Sequence, residues 1–76
     1  MDIKSSVGMV VRQKRIAKKW TQEKLSSEAG IDNQFLKKIE SGDRIPSLDT
    51  VFKLADALGI EPDKLLMPVW EEWVKS

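Results

Sequence analysis

Cysteine and histidine are both absent from these 76 residues. No disulfide and no thiolate metal site can form, so the chain has no need of an oxidising compartment. A phosphate-cradling Gly-rich loop is also missing, and no constellation of nucleophile, base and oxyanion donor is present. Metal ligands are not clustered. No enzymatic activity, metal or cofactor is expected. No apolar run reaches the length of a membrane span and nothing resembles a signal peptide, so a cytoplasmic chain without a membrane partner is expected.

A strong charge of either sign is missing too. Thirteen Lys/Arg stand against 12 Asp/Glu, a net charge of +1. That average hides a split. Residues 1–44 carry ten Lys/Arg and six Asp/Glu, a balance of +4, whereas residues 45–76 carry three and six, a balance of −3. Such an asymmetry can orient a domain towards phosphates with little total charge. What is present, 41% hydrophobic and 33% charged residues, suits one small globular domain near the size at which a core alone is only marginally stabilising.

The stretch from Thr21 to Pro46 organises the rest. It reads as two short helices, about residues 22–29 and 33–41, joined at a tight turn and followed by a loop around Gly42. Thr21 caps the first and Asp32 the second. Leu25, Ala29, Ile31, Leu36 and Ile39 fall where two crossing helices touch. Small Ser26 permits close approach, and Gly30 can turn with φ > 0 at no steric cost. This is a helix-turn-helix arrangement. On a helical wheel starting at Asn33, Phe35, Leu36 and Ile39 form one apolar stripe at about 200–300°. Asn33, Lys37, Ser41, Gln34 and Lys38 occupy about 0–140°. That arc holds groups suited to base edges and to phosphates, and it is equally compatible with an ordinary solvated face.

Thr21-Gln22, Leu25, Ala29-Gly30-Ile31, Ile39-Glu40, Gly42, Arg44 and Pro46, continued by Ser47-Leu48, Leu54-Ala55 and Ala57-Leu58-Gly59-Ile60, resemble the phage repressor and Cro-like helix-turn-helix family, the XRE group. About sixty of the 76 residues, Val7 to Leu66, carry the resemblance. It implies an all-α, five-helix, lambda-repressor-like DNA-binding domain over residues 1–66, in which the helix over 33–41 is the recognition helix. By position it implies base contacts from Asn33, Gln34 and Lys38, and backbone contacts from Gln22, Lys37, Ser41, Arg44 and Arg12. It also implies a structural ion pair between Arg15 and Glu40. Lys19 lies where the family often has Gly, so a left-handed backbone there would be strained. The source implied is bacterial or phage-encoded, with the protein nucleoid-associated when bound.

Around this motif, Met1 to Lys4 reads as a loosely held arm, with Ser5 or Ser6 capping a first helix to about Lys18. Val7, Val10 and Val11 form its apolar stripe, with Ile16 as an addition, and Trp20 plugs the core. Phe35 reads as edge of core in preference to a wedge against a thymine methyl. Ser47 caps a fourth helix whose Leu48, Val51, Phe52, Leu54, Ala55 and Leu58 are too many for a narrow stripe, so that helix is expected at the centre of the core. Gly59 ends it, and Pro62 opens a short fifth helix through about Leu66, burying Leu65 and Leu66.

Residues 67–76 read as a C-terminal extension. After Pro68, Val69, Trp70, Trp73 and Val74 can share one face of a short sixth helix, either folded on the monomer's own core or packed against a second subunit; dimer contact is the favoured reading. The expected function is a sequence-specific regulator of transcription, a repressor acting as a homodimer on palindromic double-stranded DNA through the major groove. No small-molecule ligand is expected. The competing class is a protein-interaction module, an antitoxin or adaptor that keeps the fold. Phage repressor, restriction–modification controller and antitoxin are not separable at this level.

Overall fold

Local capping chemistry sets most of the helix boundaries in the computed structural model, which describes residues 2–75. Five helices follow in order: α1 (Ile3–Ala17), α2 (Gln22–Ala29), α3 (Asn33–Ser41), α4 (Leu48–Leu58) and α5 (Pro62–Lys75). Thr21 Oγ1 accepts from the Lys24 amide at 3.0 Å, Asp32 Oδ2 from the Phe35 amide at 3.1 Å and Ser47 Oγ from the Thr50 amide at 3.2 Å. Each satisfies an N–H that the first helical turn would otherwise leave unpaired. Gly30, at φ 68°, closes α2 in the left-handed conformation, and the Ile31 amide then bonds back to the Ser26 carbonyl at 3.0 Å. The chain thereby turns sharply enough for α3 to cross α2. Ser26 is buried at the crossing, its hydroxyl donating to the Glu23 carbonyl at 3.0 Å.

Two boundaries depart from expectation. Of the arm expected over residues 1–4, Met1 lies outside the described residues. Asp2 is the N-cap, accepting from the Lys4 amide at 3.1 Å, and Ile3 is already helical. Ser5 is not a cap; its hydroxyl donates to Asp2 Oδ2 at 3.1 Å. A carboxylate at the positive end of the helix dipole is at least as good a cap, and the added turn places Ser5 against Gly42.

The second departure is α5. Among the described residues there is no separate sixth helix, and no stop falls at Leu66. One 14-residue helix runs through Pro68, and the expected boundary at 66/67 falls inside it. An internal proline costs about 3 kcal/mol in a helix. Leu65 and Val69, one turn apart on either side of it, are both buried, and α5 packs along α1 and α4. Burying two such side chains contributes about 3–6 kcal/mol, which is enough to carry the helix past the proline.

The core takes Val7, Val10 and Val11 from α1, Leu25 and Ala29 from α2, and Leu36 and Ile39 from α3. It is completed by Val51, Leu54, Ala55 and Leu58 from α4, and Leu65 and Val69 from α5. Trp20, Ile31 and Phe35 pack on it half-buried, so Phe35 is edge of core. Ile16 and Leu66 are exposed, as are two residues expected inside: Leu48 at 62% and Phe52 at 52%. On α4 they lie about 60–100° round from Val51, beyond the arc that α2 and α5 cover. The surplus of apolar residues on α4 is therefore a second, outward-facing flank.

Candidate nucleic-acid interface

The exposed side of α3 is a polar surface on a buried apolar anchor. Leu36 and Ile39 are fully buried, which fixes the helix about its axis. Gln34, Lys37, Lys38 and Ser41 stand exposed on the opposite arc, and Arg44 stands exposed in the loop that follows. Asn33 differs from its neighbours. It is half-buried, and its Oδ1 lies 3.5 Å from Ser26 Oγ, at the long limit of a hydrogen bond. Ser41 Oγ donates to the Lys38 carbonyl at 3.1 Å.

The last turn of α3 is held by one carboxylate. Glu40, whose side chain is 3% exposed, receives Arg15 Nε at 2.8 Å on Oε2 and Arg15 Nη2 at 2.9 Å on Oε1. This is a bidentate pair linking α1 to α3. Gln22 Nε2 donates to the same Oε1 at 3.1 Å, and Arg15 Nη1 donates to the Trp20 carbonyl at 2.8 Å. Glu40 thus ties α3 to both α1 and α2. Arg15 is held above its ordinary pKa by its hydrogen bonds to Glu40, against an opposing effect of burial. Because that shift is upward, the stabilisation is complete below the unfolded value and is lost only in strong alkali, so Arg15 adds no pH dependence near neutrality.

Gln22 at the start of α2 uses one amide hydrogen on Glu40, and its chemistry leaves a second for an acceptor outside the protein. Arg12 stands exposed on α1, one turn beyond Gly8. Lys19 has φ 60°, the left-handed backbone whose strain glycine would relieve. Next to it, the Lys18 and Lys24 ammonium groups lie 4.7 and 5.6 Å from the Trp20 ring centre, within cation–π range. Trp20 therefore gathers two cations beside Gln22.

Three features were not anticipated from the sequence. Val69, grouped there with the tail's contact face, is buried in the monomer's own core; only Trp70, Trp73 and Val74 of that group are exposed. They are joined on the outside by Leu48 and Phe52, and Ile45, Pro46, Leu48, Leu66, Trp70 and Trp73 line an apolar groove of about 410 Å³. The apolar surplus of α4 and the paired tryptophans of the tail were its sequence signals. Gly8 is buried against the end of α3; a lone glycine inside a helical pattern is the sign that marks such a close approach. Among the described residues, no acidic group is clustered as a metal site would be, and no helix is long and apolar enough to cross a membrane.

This geometry, an anchored helix with a polar outer arc flanked by cations, defines a helix-turn-helix DNA-binding protein. Residues 11–65 match the model of the helix-turn-helix family HTH_3, and the chain belongs to that family. It is a transcriptional regulator of the XRE, Cro/C1 type, and its relatives are DNA-binding regulators, not enzymes. An uncharacterised HTH-type transcriptional regulator of Sinorhizobium fredii, y4dJ, is 35% identical over 71 residues, covering 93% of this chain and 92% of the relative. The control protein C.BamHI of Bacillus amyloliquefaciens is 39% identical over 66 residues, covering 86% and 82%. Among solved structures, the restriction–modification controller C.AhdI of Aeromonas hydrophila superposes with a TM-score of 0.80 at 39% identity, covering 82% of this chain and 94% of that one.

Proposed function

We propose that this regulator is a homodimeric, sequence-specific repressor of the restriction–modification controller type, acting in the cytoplasm on a palindromic operator. The observation that carries the reading is the exposed arc of α3. Gln34 and Lys38, with Asn33 at its inner edge, read base edges in the major groove. Gln22, Lys37, Ser41, Arg44 and Arg12 grip the phosphates on either side. The likeness to C.BamHI and C.AhdI supports the controller type over a phage repressor or an antitoxin.

The outer flank of α4 and α5 supports the dimer. Leu48, Phe52 and Trp70 are exposed, and exposed apolar side chains gathered on one flank mark association surfaces. Residues 67–76 extend the domain over residues 1–66 and contribute Trp70, Trp73 and Val74 to that contact. Two recognition helices then meet half-sites about 34 Å apart, and repression follows when the operator overlaps a promoter. Protein concentration and dimerisation alone set occupancy.

Selection from a random duplex library at two salt concentrations tests the reading. Recovery of one palindromic motif, lost in Asn33→Ala or Gln34→Ala, is the expected result. Weak, salt-sensitive retention with no motif would overturn it, and would favour a protein-interaction module that docks through the Trp70 face.

A further inference from the structure

At Gly8, α1 comes up against the backbone of α3. A methyl group at Gly8 would overlap the Ile39 carbonyl oxygen and lie 3.0 Å from the Glu40 carbonyl oxygen. One turn earlier, Ser5 occupies the same flank of α1. Its Oγ and Cα lie 3.0 and 3.3 Å from the place a methyl on Gly42 would take. Ser5 and Gly8 therefore form a shallow seat for the last turn of α3 and its Gly42 cap, which Asp43 and Arg44 follow.

We propose that Gly8 is a positioning residue for DNA recognition, setting how far α3 stands out of the body relative to the phosphate-gripping groups on α2 and the 42–44 loop. The proposal rests on the reading of α3 as a DNA reader. Backbone carbonyls cannot turn aside as a flexible side chain would, so a methyl at Gly8 must push α1 and the end of α3 apart. The Arg15–Glu40–Gln22 contacts tie the same turn to both α1 and α2, so the displacement becomes a tilt. Gln34, Lys37 and Lys38 then move relative to Gln22 and Arg44. Base-edge hydrogen bonds tolerate far less misplacement than phosphate attraction, which falls off slowly with distance. Sequence discrimination should fail before affinity for DNA in general.

The test compares Gly8→Ala with Gly59→Ala in the full chain. Gly59 has positive φ, at 70°, and nothing lies within 4 Å of an added methyl, so its variant is strained without touching α3. Binding to the selected operator and to random duplex is measured at a temperature where each variant is folded, alongside amide chemical shifts. Gly8→Ala is expected to lose at least tenfold in operator-to-random ratio, with random-duplex binding within about twofold of wild type. Its shift changes should centre on residues 33–44, and Gly59→Ala should keep the wild-type ratio.

Equal ratios in the two variants would overturn the proposal. Should Gly8→Ala fail to fold, Ser5→Val places a smaller wedge in the same seat and is read the same way. A wild-type chain that prefers no duplex would instead sink the DNA reading itself. The amide shifts alone would then decide whether Gly8 sets the position of α3: changes centred there support it, and their absence overturns it.

Discussion

The last turn of α3 and the outer flank of α4 are separated by one short loop, and they treat their exposed surfaces in opposite ways. At the end of α3 the buried groups are committed inside the chain. Glu40 accepts from Arg15 and Gln22, Gly8 touches backbone, and only side chains suited to a polar ligand face out. Along α4 the reverse holds. Leu48 and Phe52 are presented to water, and the groove beside them is walled by Trp70 and Trp73. A surface finished by internal ties can bind a ligand without rearranging. A surface left apolar lowers its free energy by being covered. The first arrangement favours specificity and the second favours assembly, and the 42–47 loop joins them.

The comparison breaks most severely at Glu40. Glu40→Ala leaves the guanidinium of Arg15 half-buried without its carboxylate and should destabilise the fold by about 3–5 kcal/mol, read from urea denaturation at neutral pH. An effect below about 1 kcal/mol would show that the tie is a solvated pair. On the other surface, Phe52→Glu should weaken self-association by about 2 kcal/mol or more while the thermal midpoint of the monomer changes little. Sedimentation equilibrium checks this; an unchanged dimer would place the contact elsewhere.

Gln34→Ala sharpens the contrast, because it alters the reader and neither anchor. Operator binding should weaken by about 1–3 kcal/mol with random-duplex affinity preserved, and equal losses on both would remove Gln34 from the base-reading set. The smallest effect is expected at Lys19, whose φ of 60° suits glycine. Lys19→Gly should stabilise the fold by about 0.5–1 kcal/mol after the greater freedom of glycine in the unfolded chain is counted. A destabilised variant would mean that the Lys19 side chain contributes more than its backbone costs.

Most features decided within one turn were legible in the sequence, the Asp2 cap of α1 excepted. Thr21, Asp32 and Ser47 cap where they stand because the amide that each satisfies is three residues ahead, and Gly30 turns because its own backbone requires it. The Arg15–Glu40 tie spans 25 residues and came through the family resemblance, not through spacing. What was illegible depends on neighbours distant in sequence. Pro68 reads as a break until Leu65 and Val69 are seen buried on one side of it. Leu48 and Phe52 read as core because apolar count says nothing about which flank the other helices cover. Gly8 was passed over for the same reason, since the carbonyls it meets lie on another helix.

The division of α3 into a buried stripe and an exposed arc also bears on how such regulators diverge. Leu36, Ile39 and Glu40 cannot change without cost to the fold, whereas Gln34, Lys37 and Lys38 are exposed and untied to the core. Substitutions at these three positions are nearly free in stability. On the proposed reading, in which Gln34 and Lys38 read base edges, a lineage carrying this scaffold can drift from one operator to another through a series of folded intermediates by changing exposed side chains on nine residues of helix.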